Sequence, residues 1–145
     1  MLELTDHNYQ SVPSNLREEH IAIEWFEAGR SLIKRNTSAD TPTQLSRRFA
    51  KYLQDGQIVY QNQELFVRIV IRPCVCMVLR THDAVVIGCF CFDVGNRHLP
   101  VFSVDDNAFA VAYDARLYEA LSSKFKGLIS LEQAKLIPVK ALHQF

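Results

Sequence analysis

Four cysteines stand in two matching spacings, Cys74-x-Cys76 and Cys89-x-Cys91, inside the most apolar stretch of the chain. Thiols so placed can hold a soft metal ion, close a disulfide, or supply a nucleophile where a nearby cation favours the thiolate. The stretch around them, LFVRIVIRPCVCMVLRTHDAVVIGCFCFD from Leu65 to Asp93, is rich in β-branched and aromatic residues. That composition predicts a strand, a turn and a returning strand. Side chains alternate faces along a strand. A strand from Leu65 to Arg80, bent at Pro73, therefore puts Leu65, Val67, Ile69, Ile71, Pro73, Val75, Met77 and Leu79 on one apolar face. Phe66, Arg68, Val70, Arg72, Cys74, Cys76, Val78 and Arg80 fall on the other, mixed face. A loop centred on His82 and Asp83 then sets Cys74 opposite Cys91, Cys76 opposite Cys89, and Arg72 opposite Asp93. The expectation is one hairpin with all four thiols on one face.

Geometry decides among the thiol chemistries. Residues two apart on a strand are separated by roughly 6.5–7 Å, whereas thiolates around one zinc ion sit ~2.3 Å from it, a convergence that turns usually supply. No metal is therefore expected, and packed free thiols are the simplest state in a reducing compartment. Cys74, Cys76, Cys89 and Cys91 remain reactive-thiol candidates, with Arg72 as the activating cation beside Cys74. A catalytic set would add His98 and one of Asp93, Asp105, Asp106 or Asp114, but no local signature of a catalytic cysteine surrounds these thiols. The sequence also lacks a P-loop, a dinucleotide glycine motif, G-x-S-x-G and HExxH. No cofactor and no catalytic residue is expected.

Charge supplies a second kind of chemistry. Six bases, Arg30, Lys34, Arg35, Arg47, Arg48 and Lys51, lie between Ala28 and Tyr52 against the single acid Asp40. Six acids precede them between Met1 and Glu27, so a formal net charge of zero hides a polarised region. Arg47, Arg48 and Lys51 on one helix could bind phosphates. Arg68, Arg72 and Arg80 on the mixed strand face could floor a pocket or a partner groove.

These residues need elements to hold them. Apolar residues at helical spacing from Ile21 to Ile33 predict a first helix over Asn15–Asn36, with Trp25 and Phe26 facing the core. Thr41-Pro42-Thr43-Gln44 reads as the start of a second helix that ends near Gly56. Gln57–Tyr60 and Leu99–Val104 read as strands. Phe109, Val111 and Tyr113 alternate as in a strand, yet the longer period favours one helix over Asn107–Lys126. Ser130-Leu131-Glu132-Gln133 reads as a capping box opening a short helix to Ile137. Helices at both ends and strands between them predict an α+β fold. Its mostly antiparallel sheet of about four to five strands would carry two N-terminal and one or two C-terminal helices. The 145 residues suit one globular domain, with residues 1–14 as a tail or strap.

No apolar run approaches the ~20 residues that span a membrane, and MLELTDHNYQ lacks the pattern of a signal peptide. The cytoplasm is the expected location. No motif assigns the chain to a family. Together these features describe a small non-catalytic module that binds another protein or a second copy of itself. Two alternatives stand beside it. One is a nucleic-acid-binding accessory protein using the basic second helix. The other is a ligand-binding or thiol-dependent enzyme domain with its pocket on the cysteine face.

Overall fold

The structure, a computed structural model, describes residues 1–5, 9, 12, 14–47 and 51–142. It has an α+β fold, with ten strands and two α-helices among the described residues. The chain divides into two compact units, Met1–Arg72 and Pro73–Phe145.

The first unit is built from strands. The expected helix over Asn15–Asn36 is instead strand β2 (Arg17–Ile23), a 3₁₀ turn (Trp25–Glu27) and strand β3 (Leu32–Asn36). The inward positions of β2 are Glu19, Ile21 and Ile23, so an acid occupies a core-facing site and hides the alternation. Glu19 is tolerated there because the Thr37 and Thr41 hydroxyls donate to it at 2.5 and 2.9 Å and Arg17 pairs with it at 3.0 Å. The Thr37 bond leads the effects that hold its carboxyl below the usual range. Trp25 is half-buried and Phe26 is 58% exposed, so the expected aromatic anchor is absent from this core.

The expected second helix is likewise a strand, β4 (Pro42–Ser46), with Thr43 and Leu45 turned inward. Strand β1 (Leu2–Leu4) pairs parallel with β4, and β3 pairs antiparallel on its other side. The start of the presumed tail is thus part of a sheet. Strand β5 (Ile58–Gln61) lies where a strand is expected. Strand β6 (Leu65–Ile71) runs between β5 and β2, antiparallel to the first and parallel to the second. Leu65, Val67, Ile69 and Ile71 are all buried, as their parity predicts.

The hairpin itself does not form. Strand β7 (Cys74–Arg80) belongs to the second unit, in an antiparallel sheet of order Ile129–Ala134, β7, Ala108–Ala112, Phe102–Asp105. The segment expected to return as a strand is helix α1 (Ala84–Asn96). The Asp83 carboxylate caps it by accepting from the N–H groups of Val85 and Val86. Phe90 and Val94 are buried on one side of α1 and Val86, Ile87 and Cys91 pack beside them, so the core selects a 3.6-residue period over β propensity.

Strand β8 (Phe102–Asp105) turns at Asn107, in the left-handed region at φ 59°, into strand β9 (Ala108–Ala112). Helix α2 (Ala115–Lys124) then starts at the Asp114 cap, which accepts from Leu117 N–H at 2.9 Å. The predicted single helix over Asn107–Lys126 is therefore a strand followed by a shorter helix. Ile129–Ala134 forms edge strand β10 rather than a helix, since its backbone pairs with β7. Met77, Leu79 and Val111 from the sheet meet Phe90, Val94, Leu117, Leu121 and Phe125 from the helices and the turn after α2. Phe90 and Phe125 pack edge to face at 5.8 Å.

Candidate functional site

The four thiols divide between two elements. Cys74 and Cys76 lie on β7, where Cys74 faces Ala134 and Cys76 lies between Glu132 and Ala112. Cys89 and Cys91 lie on α1, and Cys89 is exposed while Cys91 is half-buried. The expected pairs Cys74–Cys91 and Cys76–Cys89 are therefore not cross-strand neighbours. The two β7 sulfurs touch, with their Sγ atoms 3.7 Å apart. Burial, then the neighbouring Cys74, pushes the Cys76 thiol up to about 12. Burial also raises Cys91. Among the described residues no group of three or more His, Cys, Asp and Glu side chains could hold a metal ion.

The basic residues are spread as widely. Arg47 is buried, and its guanidinium donates to the carbonyls of Arg30, Ala28 and Lys51. It acts as a brace for the backbone that crosses it, with each donor turned inward. Arg48 lies outside the described residues, and Lys51 is exposed in an irregular segment. The helix expected to present the three is strand over Pro42–Ser46.

The row Arg68, Arg72 and Arg80 is split between the units. Arg68 on β6 pairs with Glu18 at 2.6 Å and lies over the Phe66 ring. In place of the expected Arg72–Asp93 pair, Arg72 pairs with Glu24 within the first unit and Asp93 with Lys124 at 2.5 Å within the second. Arg80 on β7 makes a two-pronged pair with Glu132 and reaches Asp105 at 3.3 Å. The Arg80 bonds, then the Ser130 hydroxyl, hold the Glu132 carboxyl down to about 2.

What the fold does bring together lies around α1. Val85, Cys89 and Phe92 are spaced four and three apart and share its outward face. Val85 is 74% exposed and Phe92 69%. A helix apolar on both sides normally buries both. A cavity of about 410 Å³ opens beside this face, lined by Cys91, Phe92, Gly95, Asn96, Leu99, Val101 and the exposed Leu142. At the end of α1 the chain closes a C-terminal cap. Leu99 N–H donates to Val94 C=O at 3.4 Å and His98 N–H to Gly95 C=O at 2.9 Å. The residue in the left-handed position is His98, at φ 57°, where glycine is the usual choice. His98 is exposed in this cap.

The sequence signal for this site was the apolar run itself, read there as strand. Asp83 ahead of Ala84-Val85-Val86 is the cap that points to a helix, and Gly95-Asn96-Arg97-His98 marks its end.

No family model matches the chain. Individual relatives do. A urease accessory protein UreE of Acetivibrio thermocellus is 30% identical over 108 residues, which cover 73% of this chain and 69% of that protein. A UreE of Haemophilus influenzae (strain PittGG) is 28% identical over 108 residues, covering 72% of this chain and 57% of its own length. A UreE of Flavobacterium johnsoniae is 22% identical over 111 residues, covering 72% and 64%. The chain thus spans less than two thirds of the last two relatives. These matches correct the view that the chain belongs to no recognisable family.

Proposed function

The chain belongs to the UreE family of urease accessory proteins, and from that premise we propose that it is a non-catalytic protein that assists urease by binding other proteins. The observation that carries this reading is the 30% identity to the Acetivibrio relative across 69% of that protein. The geometry supports it. The outward apolar face of α1 with Val85, Cys89 and Phe92 suits a protein surface, either that of a urease component or that of a second copy of the chain. His98, exposed in the C-terminal cap of α1, adds a polar side chain to the end of the same helix. The cytoplasm is the location this reading takes, in keeping with the expectation from the sequence; no helix among the described residues is long and apolar enough to cross a membrane.

The test is complementation. Urease activity is measured in cells that carry a urease operon without its own UreE, with and without this chain. Restored activity is the expected result. A folded, well-expressed chain that leaves urease inactive contradicts the reading.

A further inference from the structure

Cys74 and Cys76 occupy the first and third positions of β7, with Sγ atoms in contact at 3.7 Å. The bond between two joined sulfurs is ~2.05 Å long, so closure requires them to approach by roughly 1.7 Å. On a regular strand, Cα atoms two residues apart sit roughly 6.5–7 Å from each other, at the upper limit of what a disulfide bridges. Closing the pair therefore asks for a small local contraction of the strand.

β7 can contract at this end. Cys74 makes the outermost pair of the β10 ladder, opposite Ala134; on the other side the β9 pairs begin at Cys76, opposite Ala112, and Val75 C=O accepts from Tyr113 N–H at 3.1 Å, so Cys74 itself lies beyond the last of these ties. Pro73, which has no N–H to lose, precedes it. The two thiols are also unequal. Cys74 is partly exposed, whereas Cys76 is fully buried and its Sγ lies 3.4 Å from the Cys74 carbonyl oxygen.

We infer that Cys74 and Cys76 form a hydroperoxide-oxidisable dithiol, in which Cys74 reacts first and Cys76 converts the product into a reversible disulfide within the chain. The Cys74 thiolate attacks the outer oxygen of the hydroperoxide, the O–O bond breaks, and the departing alkoxide or hydroxide takes a proton. Cys74 is left as a sulfenic acid. Cys76 Sγ then attacks the Cys74 sulfur, the S–O bond breaks, and the Cys76 proton leaves with the hydroxide as water. Two thiols lose two electrons and two protons in total, and the hydroperoxide is reduced to water and, where it carries a carbon chain, an alcohol. A bond closed under contraction is readily reduced again, which makes the pair responsive to its surroundings. Cys89 and Cys91 form an internal control. Two apart on a helix, they point roughly 200° away from each other and cannot join. This inference stands apart from the urease reading.

The experiment uses the full chain. The native protein is treated with hydrogen peroxide, unfolded, alkylated with iodoacetamide, digested and weighed. The expected product is a Cys74–Cys76 peptide lighter by two hydrogens and unalkylated, which dithiothreitol returns to the doubly alkylated form. In Cys76→Ser, dimedone should trap a sulfenic acid on Cys74 that the native protein does not accumulate. In Cys74→Ser, neither disulfide nor adduct at this pair should form. The native measurement decides even if a variant misfolds. Full alkylation of both thiols after peroxide, Cys74 driven to sulfinic acid without a disulfide, or a bridge from either thiol to another cysteine or a second copy would each overturn the inference.

Discussion

Glu132 shows how much one side chain can carry on an edge strand. The Arg80 guanidinium and then the Ser130 hydroxyl hold its carboxyl down to about 2, from an ordinary value of 4.5. A carboxyl depressed in the folded state contributes stability that is fully present above 4.5 and is lost as pH falls through about 2. Glu132→Gln should therefore flatten the loss of stability across that window, read from urea midpoints at successive pH values. An unchanged acid limb would count against the pairing. His98 offers a sharper contrast. Its left-handed backbone is one that glycine adopts without strain, so His98→Gly should leave stability within ~1 kcal/mol or raise it. If its imidazole serves the docking site, the same change should lower urease activation in the complementation assay. Single residues of this kind were only partly legible. The four cysteines and the arginines were visible as candidates, but their partners were not. Glu18, Glu24 and Glu132 lie 50, 48 and 52 positions from the arginines they pair with, and sequence patterns do not reach that far.

At the scale of elements, α1 is the test case. Its Asp83 cap satisfies two backbone donors, so Asp83→Ala should cost ~1 kcal/mol. Phe90 is fully buried against Phe125, so Phe90→Ala should cost ~3–5 kcal/mol by transfer and cavity terms. Both are checked by denaturant unfolding. If Ala84–Asn96 were strand, the Asp83 change would cost little. The inward face of β6 could be read from its alternation, but that of β7 could not: Val75, expected in the core, is exposed, and Cys76 and Val78 are buried along with Met77 and Leu79, so both faces of the strand are covered. The other errors share one cause. Short apolar runs fit either period, and the arbiter is what the element packs on. Ala84–Asn96 has the composition of a strand but meets a sheet across Phe90 and Val94, so it coils. Asn15–Asn36 and Pro42–Ser46 show helical start signals, yet β-branched residues facing a core and a buried, satisfied Glu19 draw them into sheets. The strand Ala108–Ala112 was visible as an alternation that a longer, coincidental period outweighed.

For the whole molecule, each unit has buried residues of its own. Ile21, Ile23, Leu45, Ile69 and Ile71 serve the first, and Met77, Leu79, Phe90, Val111 and Leu121 the second. We expect Met1–Arg72 and Pro73–Phe145, expressed separately, each to unfold cooperatively in denaturant. Failure of either to fold alone would favour the single-domain arrangement read from the sequence. The α+β class was legible, but the count and placement of its elements were not: ten strands and two helices among the described residues stand where four to five strands with helices at both ends were expected. The partner was not legible, because a docking face differs from a core face only in what covers it. The most direct measurement is therefore binding at the outward face of α1. The 145-residue chain and its Phe92→Asp variant are compared for capture of purified urease apoprotein, and for self-association by sedimentation. Phe92 is largely exposed, so the variant should keep the fold and its unfolding midpoint. The expected result is at least a ~10-fold loss of one of these associations, the effect of a buried charge at the centre of an interface. Equal association by both proteins, or association by neither, would contradict the assignment of this face to partner binding.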